Sequence, residues 1–418
     1  MAKPQPVRGT HDLLPDDFAA HAAVIDVARR VATAHGYREM ATPIFEFTEI
    51  FARSMGETSD VVSKEMYTFA DRGGESITLR PEYTAAICRA YISNGLQQSA
   101  PLKAFANGPM FRYERPQKGR LRQFHQIDIE VIGAQELAAD VEVISLGAEI
   151  LDRLGVLEKT SLKLNTLGDP ESRQNYRGAL VEYFSDHRDR LSQDSRDRLG
   201  RNPLRILDSK DEGDRAIVEG APLFGDYLNQ WSRDFFAEVT AGLDTLGIAY
   251  DLDARLVRGL DYYTHTAFEF VTDALGAQGA VIAGGRYDGL IEQIGGSPTP
   301  GIGWAGGIER LAMLSGATGQ PRKPVALVPV GDDAAKAALK IAQTLRREGF
   351  IVDLAFRGNL GKRMKRADRI GAACAVIFGE EELARDAVTL RDLASGEQNE
   401  TPLGELAGAL QIYGDSRV

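Results

Sequence analysis

The chain has 418 residues, 43% of them apolar and 26% charged, with a formal net charge of −11. That length exceeds one small core and implies two or three domains. The acidic balance excludes non-specific nucleic-acid binding over the whole surface but leaves room for a local basic face, and two distant cysteines, Cys88 and Cys374, make neither a CxxC pair nor a zinc site by themselves.

The opening MAKPQPVRGTHDLLPDDF lacks the apolar run of a secretory signal, and no stretch reaches the roughly 18 apolar residues of a membrane span. With reduced thiols, this leads us to expect a cytoplasmic location and no membrane partner. Residues 15–37 place Phe18, Ala22, Ile25, Ala28 and Ala32 at three- and four-residue steps behind Pro15, which predicts an amphipathic helix. After a loop with Pro43, EFTEIFARSMGE predicts a second helix. ITLRP predicts a strand ending at Pro81, and EYTAAICRAYI a helix with Thr84, Ile87 and Tyr91 on related faces. Residues 103–133 predict two strands joined by a basic loop, and 138–155 another amphipathic helix. Residues 168–242, which include DHRDRLSQDSRDRLGRNP, are expected to form a helical insertion less deeply packed than its flanks. Residues 265–315 read as strand, glycine-rich turn, helix, strand, helix, and TGQPRKP at 318–324 is a linker signal. Beyond it VALVPV, IVDLAF and ACAVIFG alternate with DDAAKAALKIAQTLRREGF and GKRMKRADRIG, predicting a small α/β domain over 324–418 with largely parallel pairing.

The basic loop carries the first functional signal. FRYERPQKGRLRQFHQIDIEVIG (111–133) gathers Arg112, Arg115, Lys118, Arg120 and Arg122, then spaces Gln126, Asp128 and Glu130 two apart. Side chains alternate along a strand, so Ile127, Ile129 and Val131 share one face and Gln126, Asp128 and Glu130 the other. The apolar face belongs on a core, which leaves the polar face to solvent or a cleft. On the incoming strand Met110, Arg112 and Glu114 alternate with Phe111 and Tyr113. Arg112, Glu114, Gln126 and Glu130 are therefore expected on one surface, beside a loop suited to phosphates. An exposed antiparallel sheet with a solvated turn is the alternative.

Three other segments ask for a reason. LVRGLDYYTHTAFEFV sets Arg258 among apolar residues, where a guanidinium is costly to bury without a salt bridge or an anionic ligand. AGGRYDGL (283–290) and TPGIGWAGGIERLAML (299–314) hold glycines that let a backbone approach a ligand closely, yet neither matches a dinucleotide fingerprint or a P-loop. RGNLGKRMKRADR (357–369) has six basic residues and one acidic, and at helical spacing Arg363, Arg366 and Arg369 form a stripe. That stripe is either an RNA-phosphate footprint or a solvated helix face.

Together these segments resemble class II aminoacyl-tRNA synthetases and, within them, the histidyl-tRNA synthetase family, over nearly the whole chain and least across the insertion. PVRGTHDLLP is similar to the family's opening and FRYERPQKGRLRQFHQ to motif 2. GIGWAGGIER is similar to motif 3, with Ala305 where many class II enzymes carry glycine. LVRGLDYYT and AGGRYDGL resemble two histidine-specific signatures, while Tyr83 and Tyr113 replace a small residue and a histidine common in relatives.

The resemblance implies an α+β catalytic domain over 1–320, built on a mostly antiparallel sheet with flanking helices, plus a C-terminal anticodon-binding α/β domain. It implies ATP-dependent ligation of L-histidine to tRNA(His) through a histidyl-adenylate, with Mg²⁺ accompanying ATP and no tightly bound protein-ligated metal. It also implies a homodimer joined around residues 43–66, similar to motif 1. By the same resemblance Arg112 meets the α-phosphate, Glu114 the adenine edge, and Phe124 and Arg310 sandwich the base. Glu82, Thr84 and Gln126 hold the α-amino group. Glu130 and Tyr263 read the imidazole, with Tyr262 and Tyr287 in the same histidine site. Arg258 sits beside the reacting carboxylate, so Arg112, Arg258 and Gln126 form the catalytic set. Gln117, Lys118 and Arg120 hold the tRNA acceptor end, and Arg363 and Arg366 contact tRNA in the last domain. Two rival classes remain: a non-catalytic relative such as the regulatory subunit of ATP phosphoribosyltransferase, and an RNA-binding module without chemistry.

Overall fold

The computed structural model describes residues 3–56, 61–117, 119–207, 209–257, 260, 262–275, 279–316 and 322–417. The chain divides into two units, Met1–Gly319 and Gln320–Val418.

In the first unit the strands are β1 (Arg38–Glu39), β2 (Phe45–Phe47), β3 (Tyr67–Ala70), β4 (Ser76–Leu79), β5 (Leu102–Phe111), β6 (Gln123–Ile132), β7 (Ser161–Thr166), β8 (Asp251–Leu252), β9 (Thr264–Val271), β10 (Ala280–Arg286) and β11 (Gly301–Gly307). The helices are α1 (Pro15–Ala34), α2 (Thr48–Met55), α3 (Thr84–Ser93), α4 (Ala138–Arg153), α5 (Pro170–Asp186), α6 (Gln193–Leu199), α7 (Glu212–Val218), α8 (Gln230–Thr245), α9 (Leu290–Gln293) and α10 (Ile308–Ser315). Eight strands make one sheet in the order β1-β5-β6-β11-β10-β9-β7-β8, and β2-β4-β3 make a small second one. The inner strands of the large sheet pair antiparallel, whereas the two-residue edge strands β1 and β8 run parallel to their neighbours.

Both faces of the large sheet are covered. On one, Ile127, Ile129, Val131, Phe268, Phe270 and Trp304 pack with Val24, Ala28 and Val31 of α1 and Val143, Ile144 and Leu151 of α4. On the other, Ala104, Ala106 and Met110 of β5 pack with Phe51 of α2, Ile87 and Tyr91 of α3, and Leu290 of α9. Pro15 opens α1 where its missing N–H costs nothing, and Asp16 and Asp17 sit in the first turn, favourable to the helix dipole. Its buried stripe is His21, Val24, Ala28, Val31 and Ala32, so the expected apolar face is rotated and Phe18 is exposed. The segment EFTEIFARSMGE is a strand before it is a helix, because Phe45–Phe47 pairs with β4 ahead of α2.

The insertion is better packed than its polar texture suggests. Tyr176, Leu180, Phe184, Ile206, Ile217 and Phe224 make a core of their own. Asp169 caps α5 by accepting from the Ser172 amide at 2.8 Å. Asp214 accepts from the hydroxyls of Ser192, Ser195 and Ser209 at 2.6–2.7 Å, which pins the segments around α6 and α7.

The second unit holds β12 (Val325–Pro329), β13 (Val352–Leu354), β14 (Cys374–Phe378), β15 (Ala387–Asp392) and β16 (Gln398–Pro402), with α11 (Asp332–Arg347) and α12 (Leu360–Arg369) among its helices. Its sheet order is β13-β12-β14-β15-β16. The β13-β12-β14 half is parallel, as the alternating pattern predicts, but β15 and β16 add an antiparallel half that it does not signal.

One buried ion pair ties the layers of the first unit. Arg286 at the end of β10 is 1% exposed and Asp140 on α4 is fully buried. The guanidinium also donates to the Ala134 carbonyl and to Asp288, each at 3.1 Å. Removing one partner strands the other charge away from water. Asp140→Ala should therefore lower the unfolding free energy by about 3–5 kcal/mol, read as a reduced denaturant midpoint. An unchanged midpoint would show that the pair is not the tie.

Candidate active site

β6 is the inner strand on which the site is built, and its neighbours carry only small side chains or none opposite its polar residues. Glu130 lies opposite Ala104 of β5 and Gly303 of β11; Asp128 opposite Ala106 and Ala305; Gln126 opposite Gly108 and Gly307. Three polar side chains thus rise from a floor with almost no walls. The clearance is obligatory at Gly303, where a Cβ would stand 1.8 Å from Glu130 Oε2.

The parity expected of this strand is observed, but the polar face is not wet. α3 covers it, and Glu130 is fully buried. Thr84 Oγ1 donates to Glu130 Oε1 at 2.5 Å, and the Tyr287 hydroxyl donates to Oε2. Burial raises the Glu130 carboxyl to about 8; the Thr84 and Tyr287 hydrogen bonds pull it down and nearby Glu82 pushes it up. Glu82, at the start of α3, accepts from the Ala85 amide at 2.9 Å, and burial raises it as well. The Tyr262 and Tyr263 rings lie 4.6 Å apart, tilted at 43° to each other, and Tyr262 meets Tyr287 edge-on at 5.9 Å.

Above this floor opens a cavity of about 510 Å³. Glu82, Thr84, Arg112, Glu114, Arg120, Phe124, Gln126, Tyr262, Tyr263 and Arg310 line it. Residues separated by more than half the chain therefore converge. Glu130 and Tyr287 lie beneath the lining, joined to it through Thr84 and Tyr262. Arg258 and Lys118 fall outside the described residues.

The basic loop closes one side. The Arg112 amide donates to the Arg122 carbonyl at 3.0 Å, and a turn pairs Gln117 with Arg120, with Gly119 at φ 73°. Gln117 is exposed, but Arg120 folds back to within 2.8 Å of Glu114. Arg112 donates to the Pro81 carbonyl at 2.9 Å and stands 5.3 Å over the Phe124 ring. Arg310 donates to the carbonyls of Gly119 at 3.3 Å and Ala280 at 2.5 Å. In the free protein the guanidinium over Phe124 is that of Arg112, while Arg310 rests on the carbonyls of Gly119 in the loop and Ala280 at the start of β10.

Sequence reasoning missed part of the lining. Glu269 and Asp253 both face the cavity. The alternation of Phe268 and Phe270 with Ala267 and Glu269 could have exposed the first. Glu309, next to Arg310, accepts from the His125 backbone amide at 2.9 and 3.1 Å and lies 2.9 Å from His125 Nδ1, which braces β6 against α10. His21, His125 and Glu309 have ligand-type atoms within 4.8 Å of one another, but those contacts with His125 already occupy the carboxylate.

In the second unit the expected arginine stripe is divided. Arg363 is buried and donates to the Pro329 carbonyl, because α12 packs that face on β12. Arg366 pairs with Asp353 at 2.7 and 2.9 Å. Arg363 is therefore turned inward, whereas Arg366 keeps 40% of its side chain exposed beside Asp353; the more exposed cations here are Arg357, Lys362, Lys365 and Arg369, near Phe356, which is 96% exposed.

Comparison with known proteins gives a consistent result. A family model described as histidyl-tRNA synthetase matches residues 9–168 and 204–311, and an anticodon binding domain model matches 324–412. The chain is 62% identical over 408 residues to the histidine–tRNA ligase of Rhodospirillum rubrum, covering 97% of this chain and 98% of that protein. The apo crystal structure of S. aureus histidyl-tRNA synthetase superposes with a TM-score of 0.82 at 35% identity, covering 97% of this chain and 99% of that one. A Bacillus halodurans structure titled as an ATP phosphoribosyltransferase regulatory subunit/histidyl-tRNA synthetase shares the fold, with a TM-score of 0.65 at 21% identity, covering 91% and 99%.

Two outcomes follow from the floor of the site. Gly303→Ala should destabilise the protein by about 1–3 kcal/mol through overpacking, seen as a lower melting temperature; a neutral substitution would mean that Glu130 can withdraw. The native state also keeps a proton on Glu130 that the unfolded chain releases near pH 4.5. That contribution to stability is complete below pH 4.5 and disappears as pH rises through about 8. Glu130→Gln should therefore flatten the decline of unfolding free energy across that window, and an unaltered slope would contradict the raised value.

Proposed function

The chain belongs to the histidyl-tRNA synthetase family, and from that premise we propose how its residues carry out the reaction. The protein ligates L-histidine to tRNA(His) with ATP, by way of histidyl-adenylate. The observation that carries this reading is the single cavity on which motif 2, motif 3 and the histidine signatures converge, above a buried carboxylate suited to an imidazole.

The carboxylate of histidine is already a nucleophile, so activation needs no general base. Its oxygen bonds to the α-phosphorus of ATP, the bond to the bridging oxygen breaks, and pyrophosphate leaves. Arg112 and Arg258 stabilise the charge that gathers on the α-phosphate and align the reactants. Glu114 meets the adenine edge, and Phe124 stacks on the base with Arg310 swung over it. Glu82, Thr84 and Gln126 hold the α-ammonium group. Glu130, with Tyr263, Tyr262 and Tyr287 around it, takes the imidazole, whose two nitrogens need different partners. Glu269 and Asp253 offer the hard oxygen donors that Mg²⁺ prefers; when bound with ATP, the ion neutralises phosphate charge. In the second step the 3′-hydroxyl of the terminal adenosine attacks the activated carbonyl carbon, and AMP leaves.

The tRNA acceptor end meets Gln117, Lys118 and Arg120 of the loop. The second unit takes the anticodon, with Arg357, Lys362, Lys365 and Arg369 as its exposed cations in place of a full Arg363–Arg366 stripe. Ile44, Phe45, Phe47 and Phe69 are exposed on the β2-β4-β3 sheet, an apolar patch of the kind that marks an interface. This supports a homodimer joined through that segment. No helix among the described residues is long and apolar enough to cross a membrane, and the reaction is assigned to the cytoplasm, where its tRNA substrate resides.

The purified protein should exchange pyrophosphate into ATP only when histidine is present. Arg258→Ala should abolish exchange while tRNA binding persists. Glu130→Ala should raise KM for histidine by roughly 10–100-fold, the worth of a hydrogen bond to a charged group, with KM for ATP nearly unchanged. Folded wild-type protein without exchange activity would favour the regulatory-subunit reading instead.

A further inference from the structure

One buried group on β6, next to the cavity-lining Gln126, has no part in the scheme above. Asp128 lies between Gln126 and Glu130 on β6, is 1% exposed, and has neither carboxylate oxygen hydrogen-bonded among the described residues. Ala106 and Ala305 flank it across the neighbouring strands and offer no donor. Glu82 Oε2 and Gln126 Oε1 are likewise buried without a partner among those residues. Four acceptor atoms thus belong to one region, and two of the three residues that carry them line the cavity.

We propose that Asp128 is a positioning residue for the amino-acid substrate, a buried carboxylate that completes a cation subsite with Glu82 and Gln126 and takes the α-ammonium group. This rests on the assignment of the cavity to histidine activation. The chemistry selects the ligand. A phosphate or carboxylate brings only acceptors and would be repelled, whereas a primary ammonium brings three N–H donors and a positive charge.

The groups facing Asp128 explain its state in the free protein. Where they ionise, Glu130 and Glu82 add like charge beside it, and Arg80 and Arg112 oppose them; the Tyr83 phenol is also close enough to feel it. Arg80 is spent on the carbonyls of Pro109 at 3.0 Å and Thr42 at 2.9 Å, and Arg112 on Pro81. Burial, reinforced by the two glutamates, lifts Asp128 well above the ordinary carboxyl range, which favours its protonated form in the free protein. When the ammonium enters, its charge replaces that proton: the carboxylic acid becomes a carboxylate paired with the substrate, and one proton passes to bulk water.

Calorimetric titration at neutral pH in buffers of different ionisation enthalpy counts that proton. With each ligand's own ring ionisation subtracted, since loss of the α-ammonium group raises the imidazole pKa, wild-type protein is expected to release more protons on binding histidine than on binding 3-(imidazol-4-yl)propionate, which keeps the ring and carboxylate but lacks the amine. Asp128→Asn should abolish the difference, weaken histidine roughly 10–100-fold, the same order as losing a charged hydrogen bond, and change imidazolylpropionate by less than about threefold. Equal proton release for the two ligands in wild type overturns the proposal even if the variant does not fold. So does an Asp128→Asn protein that binds both ligands as wild type does, or loses both equally, since a structural role would not discriminate. Failure of the underlying assignment looks different: wild-type protein would then lack histidine-dependent pyrophosphate exchange altogether.

Discussion

The structure turns on one constraint: a carboxyl group must be held dry on an inner strand of a covered sheet. Glu130 can be buried there only because Ala104 and Gly303 leave its flanks open, and because Thr84 and Tyr287 each donate to one of its oxygens. Taking a charge out of water is expensive, so the group keeps its proton instead. What is costly in the free protein becomes useful once a ligand with N–H donors arrives. The same logic extends along β6, where Asp128 and Gln126 sit in equally cleared positions.

The rest of the first unit serves that strand. α3 brings Glu82 and Thr84 over the polar face, so the element that excludes water also supplies partners. α10 fixes the other end, since Glu309 grips the His125 amide just beyond the last β6–β11 pair while Arg310 looks into the cavity. The insertion reaches the site as well: Arg173 of α5 donates to the Tyr263 carbonyl at 2.7 Å, and Arg255, in the cavity wall, donates to the Glu219 carbonyl at 2.6 Å. The floor of the cavity is thus buried and internally bonded, whereas one side is bounded by a loop in which Arg112 rests on the Pro81 carbonyl and Arg120 on Glu114.

Strand parity was legible because it is local. The alternation from Gln126 to Val131 fixes which side chains share a face, whatever lies above them. What covers that face is set by α3, a contact between residues more than forty positions apart, and the pattern of β6 alone leaves open whether its polar side meets water or protein. The same limit explains Arg363. Helical spacing places it with Arg366 and Arg369, but only the packing of α12 on β12 decides that its guanidinium turns inward. The insertion's core was obscured because Tyr176, Leu180, Phe184 and Ile217 are diluted among charges, and β15–β16 because a short hairpin with polar outer residues carries little periodic signal. The roles of Glu82, Tyr263 and Arg310 came from resemblance; their convergence on one cavity came from the fold.

The most direct test is to titrate the Glu130 side chain itself. In protein carrying carboxyl-¹³C glutamate, with the Glu130 resonance assigned by its loss in Glu130→Gln, the free protein should show that carboxyl titrating near 8, and histidine should shift the resonance. A Glu130 that titrates in the ordinary carboxyl range, with or without histidine, would mean that the strand does not hold its carboxylate dry, and the recognition described here would lose its basis.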